Sequence, residues 1–471
     1  MQGITEKGEG SMSTIEQIVE EKNARIRAAA SLESHDRVPV AGSADFWPVK
    51  YLTKYSMQEA FYDIDVVAES YKKAFSQWND WDAFNPLLYS LGPMLDAIGS
   101  RRYHIPGRDI PANAEFQHPD LTLMEAEEYS KLINNPMKFQ IEEIIPRLCT
   151  RIGSNNFSMR TKALSKAALF FGQWMGKARS YQSLWLNEYG VPPLFQGTAI
   201  YVPMDWIADK LRGFKQGLLD IKQRPEEVQA ACEALVPFML HAALSAAPAG
   251  GDYPFLFNPQ HVSPFISPKD YDKVYWPTFK KLIDEFVKRG YRVWVFFENN
   301  QEQHLEHLQD LPKGKIVAHL EATDLSKAKK ALGGKICIAG GMPSILLARG
   351  TPEKVREQTR SVLKLFEDEP GFIMNSTTSI PTTAKPENIR SWLDAVKEYG
   401  RIGDKINVPE RKEKSCEISD PSEGLHRKDV ITSWETIKPE FAKIEGDETI
   451  IKESWEQLEK SVLPFIFWLI R

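Results

Sequence analysis

The chain has 471 residues, of which 42% are hydrophobic and 26% charged, and it carries a net charge of -5. That composition is ordinary for a globular protein, and the slightly acidic balance gives no electrostatic footprint for nucleic acid. Four cysteines, Cys149, Cys232, Cys337 and Cys416, are scattered without a CxxC pair, which argues against a disulfide framework and a thiolate zinc knuckle. No apolar run approaches the roughly 18 residues a bilayer span requires. The polar, acidic opening differs from a secretory leader, so a cytoplasmic location and no membrane partner are expected. "MQGITEKGEGSMS" reads as a flexible tail, and residues 1–32 as that tail plus a helix.

Eight short apolar runs follow in chain order: "RVPVAG" (37–42), "DAFNPL" (82–87), "PPLFQG" (192–197), "PFLFNP" (254–259), "VWVFFE" (293–298), "IVAHLEA" (316–322), "ICIAGG" (336–341) and "FIMNST" (372–377). Amphipathic segments lie between the later ones, such as "SPKDYDKVYWPTFKKLIDEFVKRG" and "TPEKVREQTRSVLKLFEDEPG". Each of these begins with Ser or Thr at an N-cap and Pro at the first helical position. Gly290 and Gly371 are expected to end them. Strand–helix alternation of this kind predicts parallel strands with crossovers, and eight units predict an α/β fold, a closed (β/α)8 TIM-type barrel over residues 33–400. Beyond residue 401 the chain turns polar and aperiodic, then ends in "SWEQLEKSVLPFIFWLI", a predicted helix. Residues 401–471 are therefore expected to wrap or dock on the barrel or on a second subunit.

A barrel of this type carries its site at the C-terminal ends of its strands. The candidates there are Asp45 and Trp47 after strand one, Gln196 on strand three, Asn258 and His261 at strand four, Phe296, Glu298, Asn299 and Asn300 at strand five, His319 and Glu321 at strand six, and Asn375 and Thr378 at strand eight. Trp206 and Phe265 are added as apolar walls. Alternation places Phe296 with Glu298 and His319 with Glu321 on one face each. If both pairs point inward, two carboxylates and a histidine converge, a group suited to moving a proton or binding a metal. His304 and His307, flanked by Glu302 and Glu306, are spaced as helix neighbours. They read as an exposed polar face before a ligand set. No GxGxxG, Walker loop or G-x-S-x-G elbow is present.

Three stretches carry a resemblance. "SPFISPKDYDKVYWPTFKKLIDEFVKRG", the segment from "ARGTPEKV" to "LDAVKEYG", and "DRVPVAG" resemble the uroporphyrinogen decarboxylase superfamily over roughly residues 33–400. The resemblance implies a distorted (β/α)8 barrel with one of two activities: decarboxylation of a porphyrinogen, or methyl transfer involving a corrinoid. The decarboxylase branch has an arginine-rich segment after strand one. Here "GSADFWPVKYLTKY" holds no arginine. Its strand-two aspartate is replaced near Tyr89 and Ser90, and its strand-eight histidine falls near Thr378. The coenzyme M methyltransferase branch places zinc ligands where this chain has Phe296, Glu298 and Thr378, so both of that branch's cysteines are missing.

What the resemblance implies is a corrinoid-dependent methyltransferase. It moves a methyl group from a small methylated donor, such as an aryl methyl ether, to the cob(I)alamin of a partner corrinoid protein, since no D-x-H-x-x-G corrinoid-binding run occurs in the chain. Glu298, His319 and Glu321 are the expected catalytic group, acting as a proton source or around zinc. The remaining candidates would bind the donor, with Asn258 or Asn375 orienting it. A decarboxylase-like lyase for another substrate is the alternative, and a homodimer is carried over from the decarboxylase branch.

Overall fold

A computed structural model describes residues 14–247, 251, 253–403, 432–441 and 443–471. The expected tail at 1–13 and most of the polar stretch after 401, with Cys416, lie outside the described residues. Eight parallel strands form in chain order: β1 Ala41–Ala44, β2 Ala83–Pro86, β3 Phe195–Gln196, β4 Phe255–Gln260, β5 Val293–Phe297, β6 Ile316–Leu320, β7 Cys337–Met342 and β8 Phe372–Ser376. β3 to β8 pair successively, and β1 pairs with β2. Single contacts join the two sheets. The Phe84 N–H donates to the Pro192 carbonyl at 2.9 Å, and the Met374 N–H to the Pro39 carbonyl at 2.9 Å. The eight strands thereby close into the predicted barrel.

Alternation sorts the side chains. Ala41, Ala83, Phe255, Trp294, Val317, Cys337, Ala339 and Ile373 fill the barrel interior. Their sequence neighbours Val293, Val295, Phe297, Ile316, Ala318, Leu320 and Met374 pack outward against helices. The helix Thr14–Ser31 sends Ile26, Ala29 and Ala30 into the interior cluster and so stoppers the N-terminal end. Arg25 fixes that stopper by pairing with Asp36 at 2.7 Å and with the fully buried Asp82 at 2.6 Å. Only the opposite end remains open for chemistry.

Helix punctuation follows the sequence in part. Ser267 and Thr351 cap their helices by accepting from the N–H groups of Asp270 and Lys354. Gly290 adopts a positive φ of 84° just past the helix Trp276–Lys288. Gly371 is a correction: the helix Pro352–Leu365 stops earlier, and this glycine instead admits Leu32 beside the start of β8, where a Cβ would meet the leucine. Pro225–Ala246 is a helix long and apolar enough to cross a membrane, contrary to the expectation that no run approaches that length. It is a core helix, since Phe238 on it packs against Trp206 and Phe467.

The helix Glu448–Ile470 lies on the same barrel. Phe467 stacks on Trp206 with centroids 4.9 Å apart, Trp468 meets Trp174 at 5.2 Å, and Leu463 and Ile470 are buried in the outer core. Its end reaches the barrel mouth, where Arg471 donates to the Tyr89 hydroxyl at 2.9 Å.

Candidate functional site at the barrel mouth

Phe296 pairs with His319 across β5 and β6, and the Glu321 N–H continues the ladder to the Phe297 carbonyl at 3.2 Å. Glu298 and Glu321 therefore stand one layer above Phe296 and His319, all on the inward face. The expected convergence of the two carboxylates is present. Glu298 is mostly buried, and desolvation pushes its carboxyl up to about 7. His261 opposes that shift, while Asp205, Asp209 and Glu321 add to it.

His319 has a different task from the expected one. Its Nε2 lies 2.7 Å from the Ser376 carbonyl, and a carbonyl can only accept, so Nε2 carries the proton. Burial lowers its pKa to about 4, keeping the ring neutral. It stands among Trp294 and Phe296, with centroids 5.5 and 4.8 Å away. Glu321 accepts the Asn299 N–H at 2.6 Å. Glu298, His319 and Glu321 thus do not assemble as a zinc set. Among the described residues no three His, Cys, Asp or Glu side chains gather to hold a metal ion.

The partners of Glu298 come from the β3–β4 side. His261 Nδ1 sits 2.9 Å from Asp209 Oδ1. Burial works against the imidazolium, but the hydrogen bond and charge of Asp209 outweigh it and raise His261 to about 9. Phe214 stacks on the imidazole at 4.5 Å. Asp205 lies behind, accepting from the His261 and Val262 N–H groups at 3.1 and 2.7 Å and from the Tyr275 hydroxyl at 2.6 Å. This geometry is set locally. Pro203 opens the helix Pro203–Trp206, which widens into a π-helical turn over Ile207–Arg212. Wide turns of this kind recur at functional sites. Gly213, at a positive φ of 82°, releases the chain into the next helix.

Asn299 and Asn300 answer to turn chemistry rather than to a substrate. Asn299 is left-handed, φ 54°, a conformation asparagine tolerates better than most residues. That turn aims its N–H at Glu321. Asn300 Oδ1 accepts the Glu302 N–H at 2.9 Å. Several other expectations are corrected by burial. Trp47 is 1% exposed, donates to the Ala384 carbonyl and packs on Trp78. Trp206 is fully buried and donates to Gln140. Asn258 lies on the face opposite Phe255 and Phe257, and it clamps the Ile200 carbonyl. Gln196 sits low, level with Leu256, bonded to the Pro254 carbonyl. The third strand's contacts continue to Ile200, whose N–H reaches the Phe257 carbonyl. Thr378 bonds Ser344 at 2.7 Å.

Asn375 faces inward with its Oδ1 accepting from Ser376 at 3.3 Å. Phe265 is 51% exposed at the rim beside Phe214. Asp45 has a buried Oδ1 without a hydrogen-bond partner among the described residues. Desolvation, then Glu115, pushes its carboxyl up to about 7. His304 is buried, stacks on Tyr271 and holds the Ser263 carbonyl, while His307 pairs with Asp272. The two therefore form neither an exposed face nor a ligand set.

Sequence reading missed Asp205, Asp209 and Lys210. Its one usable signal was the spacing of two aspartates four apart in "PMDWIADKLRGF", on one helical face.

Residues 206–399 match the uroporphyrinogen decarboxylase (URO-D) family. The chain is 31% identical over 139 residues to uroporphyrinogen decarboxylase of Pseudoalteromonas translucida, covering 28% of this chain and 38% of that protein. It is 35% identical over 79 residues to the enzyme of Paraburkholderia phytofirmans, covering 17% and 21%. The chain thus spans well under half the length of these curated relatives. A methyltransferase from Methanosarcina mazei shares the fold, with a TM-score of 0.55 and 15% identity over 80% of this chain and 98% of that one. Residues 206–399 are thus similar to the uroporphyrinogen decarboxylase family, and the fold is shared with that methyltransferase.

Proposed function

We propose that this protein is a methyltransferase in which Glu298 protonates the leaving group as a methyl is passed to a corrinoid. The observation that carries the proposal is Glu298 itself, an inward-facing carboxyl raised to about 7 beside the His261–Asp209 pair. An alkoxide or phenoxide leaves poorly unless it is protonated as the bond breaks, and an acid near neutral pKa serves that need. The acceptor, cob(I)alamin brought by a partner corrinoid protein, supplies the nucleophile. The donor's carbon–oxygen bond breaks, its electron pair stays on oxygen, and that oxygen takes the Glu298 proton. The methyl carbon goes to the reduced cobalt.

Phe296 forms an apolar floor, and His319 is neutral and locked, with Nδ1 free of any hydrogen bond among the described residues. Asp209 orients His261, whose positive charge limits how far the Glu298 pKa rises. No step of this reading is routed through a metal. The methyltransferase of similar fold from Methanosarcina mazei supports the activity class.

The test is methyl transfer from methoxybenzene or 4-methoxybenzoate to reduced cobalamin, with release of the corresponding phenol. Glu298→Gln should cut the rate by about 100- to 1,000-fold. Unchanged transfer in Glu298→Gln would remove Glu298 from the reaction. A lyase reading gains support from the same acid, since a decarboxylated carbon must also be protonated. Release of carbon dioxide from an aromatic acid without any corrinoid would favour it.

A further inference from the structure

Beside the acid half of the mouth lies a group of cations that the methyl-transfer reading does not use. Arg102 is 2% exposed and Lys210 is 7% exposed. Arg102 spends its guanidinium on the carbonyls of Ile470, Asp209 and Lys210, at 3.1 to 3.2 Å, and on no carboxylate among the described residues. Lys210 Nζ lies 5.0 Å from the centre of the Tyr201 ring and makes no hydrogen bond or ion pair among the described residues. Arg471 lies over Tyr89 and Trp468 at 5.7 and 4.6 Å and bonds the Tyr89 hydroxyl. Asp209 is committed to His261, and the other carboxylates that act on the group, Glu298 on Lys210 and Asp45 on Arg471, form no ion pair with it among the described residues. Charges removed from water in this way are costly unless paired.

The enclosure is aromatic as well as cationic. Tyr89 packs on Phe116 at 5.5 Å, and Tyr103 on Phe116 at 5.8 Å. Tyr201 completes the wall, against Trp206 at 5.5 Å. Four elements supply it: the segments after β2 and β3, the segment holding Arg102 and Tyr103, and the end of the helix Glu448–Ile470. The decarboxylase arginines expected after strand one are missing, so this group occupies different positions in the chain.

We infer that Arg102, Lys210 and Arg471, walled by Tyr89, Tyr103 and Tyr201, form a binding site for the carboxylate of a small aromatic acid. The inference rests on the methyl-transfer reading and narrows its donor to an anionic aryl methyl ether. Lys210 and Glu298 act electrostatically on one another, so the cation group and the acid share the barrel mouth. Burial first, then Arg102, lowers Lys210 to about 7, with Asp209 and Glu298 opposing and Arg471 adding to the fall. A bound carboxylate restores its charge.

Isothermal titration of the full chain with benzoate, benzamide and inorganic phosphate tests the site. Benzoate should bind at least about tenfold tighter than benzamide, the yield of one charged hydrogen bond. At pH 8 its binding should take up a proton, seen as a dependence of the heat on buffer ionisation. Lys210→Met should abolish both the preference and the proton uptake, and Tyr89→Phe should weaken benzoate by freeing Arg471. Equal binding of benzoate and benzamide overturns the site, as does a Lys210→Met protein that binds benzoate like wild type. Phosphate binding as tightly as benzoate overturns the aromatic part. If Lys210→Met does not fold, the wild-type benzoate-to-benzamide ratio still decides. Benzoate binding without methyl transfer from any ether would leave the site standing and end the methyltransferase reading. Transfer with no benzoate preference would do the reverse.

Discussion

At residue 209 a single carboxylate decides the charge of its neighbour. His261 is raised to about 9 because Asp209 outweighs the cost of burial, so Asp209→Asn should return the imidazole towards or below 6.5. NMR titration of the His261 ring checks this. Glu298 then loses both the His261 cation, which lowers it, and the Asp209 anion, which raises it; His261 is the larger influence, so Glu298 should titrate higher. Asp45 offers a second case. Its folded pKa is raised from 3.8 to about 7, so the native state binds more protons than the unfolded chain between those values. Its contribution is favourable below pH 4 and is lost as pH rises through 7. Asp45→Asn should therefore match wild type near pH 4 and melt higher at pH 8. The gain should be about 1 kcal/mol, below the full linkage value because the residue is partly exposed.

Among the elements, the strands were legible because alternation and buried runs are strong signals, and all eight form near their predicted places. Glu298 and Glu321 followed from the same alternation. Gln196 and Asn258 failed because the contacts of this segment continue past β3 to Ile200 and because Asn258 falls on the outward parity. Trp47 and Trp206 were read as walls, yet an indole at a strand end is as readily core. Asp209 and Lys210 come from a wide turn after β3, hinted at only by the four-residue spacing of Asp205 and Asp209. The helix Glu448–Ile470 is anchored by Phe467 between Trp206 and Phe238. Phe467→Ala should cost about 3–5 kcal/mol, read as a fall in the urea midpoint, and should loosen Arg471 at the mouth. At the other end Arg25→Met breaks the stopper's link to Asp82. The cost should approach about 3 kcal/mol, moderated because Arg37 still serves that aspartate at 2.7 Å.

On the scale of the whole molecule, the barrel is stoppered at its N-terminal end and divided at its mouth. One side holds the acid, Glu298 with His261 and Asp209, and the other holds Arg102, Lys210 and Arg471. A donor with an anionic end and an ether end matches that division, and under the proposed function a corrinoid partner would approach the same face. Both Glu298 and Lys210 lie near neutral pKa, so a pH effect alone does not say which one acts. The decisive measurement is the single-turnover rate of methyl transfer from 4-methoxybenzoate to reduced cobalamin between pH 6 and pH 9, for wild type and Glu298→Gln. A proton donor at about 7 predicts a wild-type rate that falls above that pH, towards tenfold per unit, and a Glu298→Gln rate that is slow and flat across the range. The same falling limb in Glu298→Gln, or a wild-type rate indifferent to pH, would contradict the role given to Glu298.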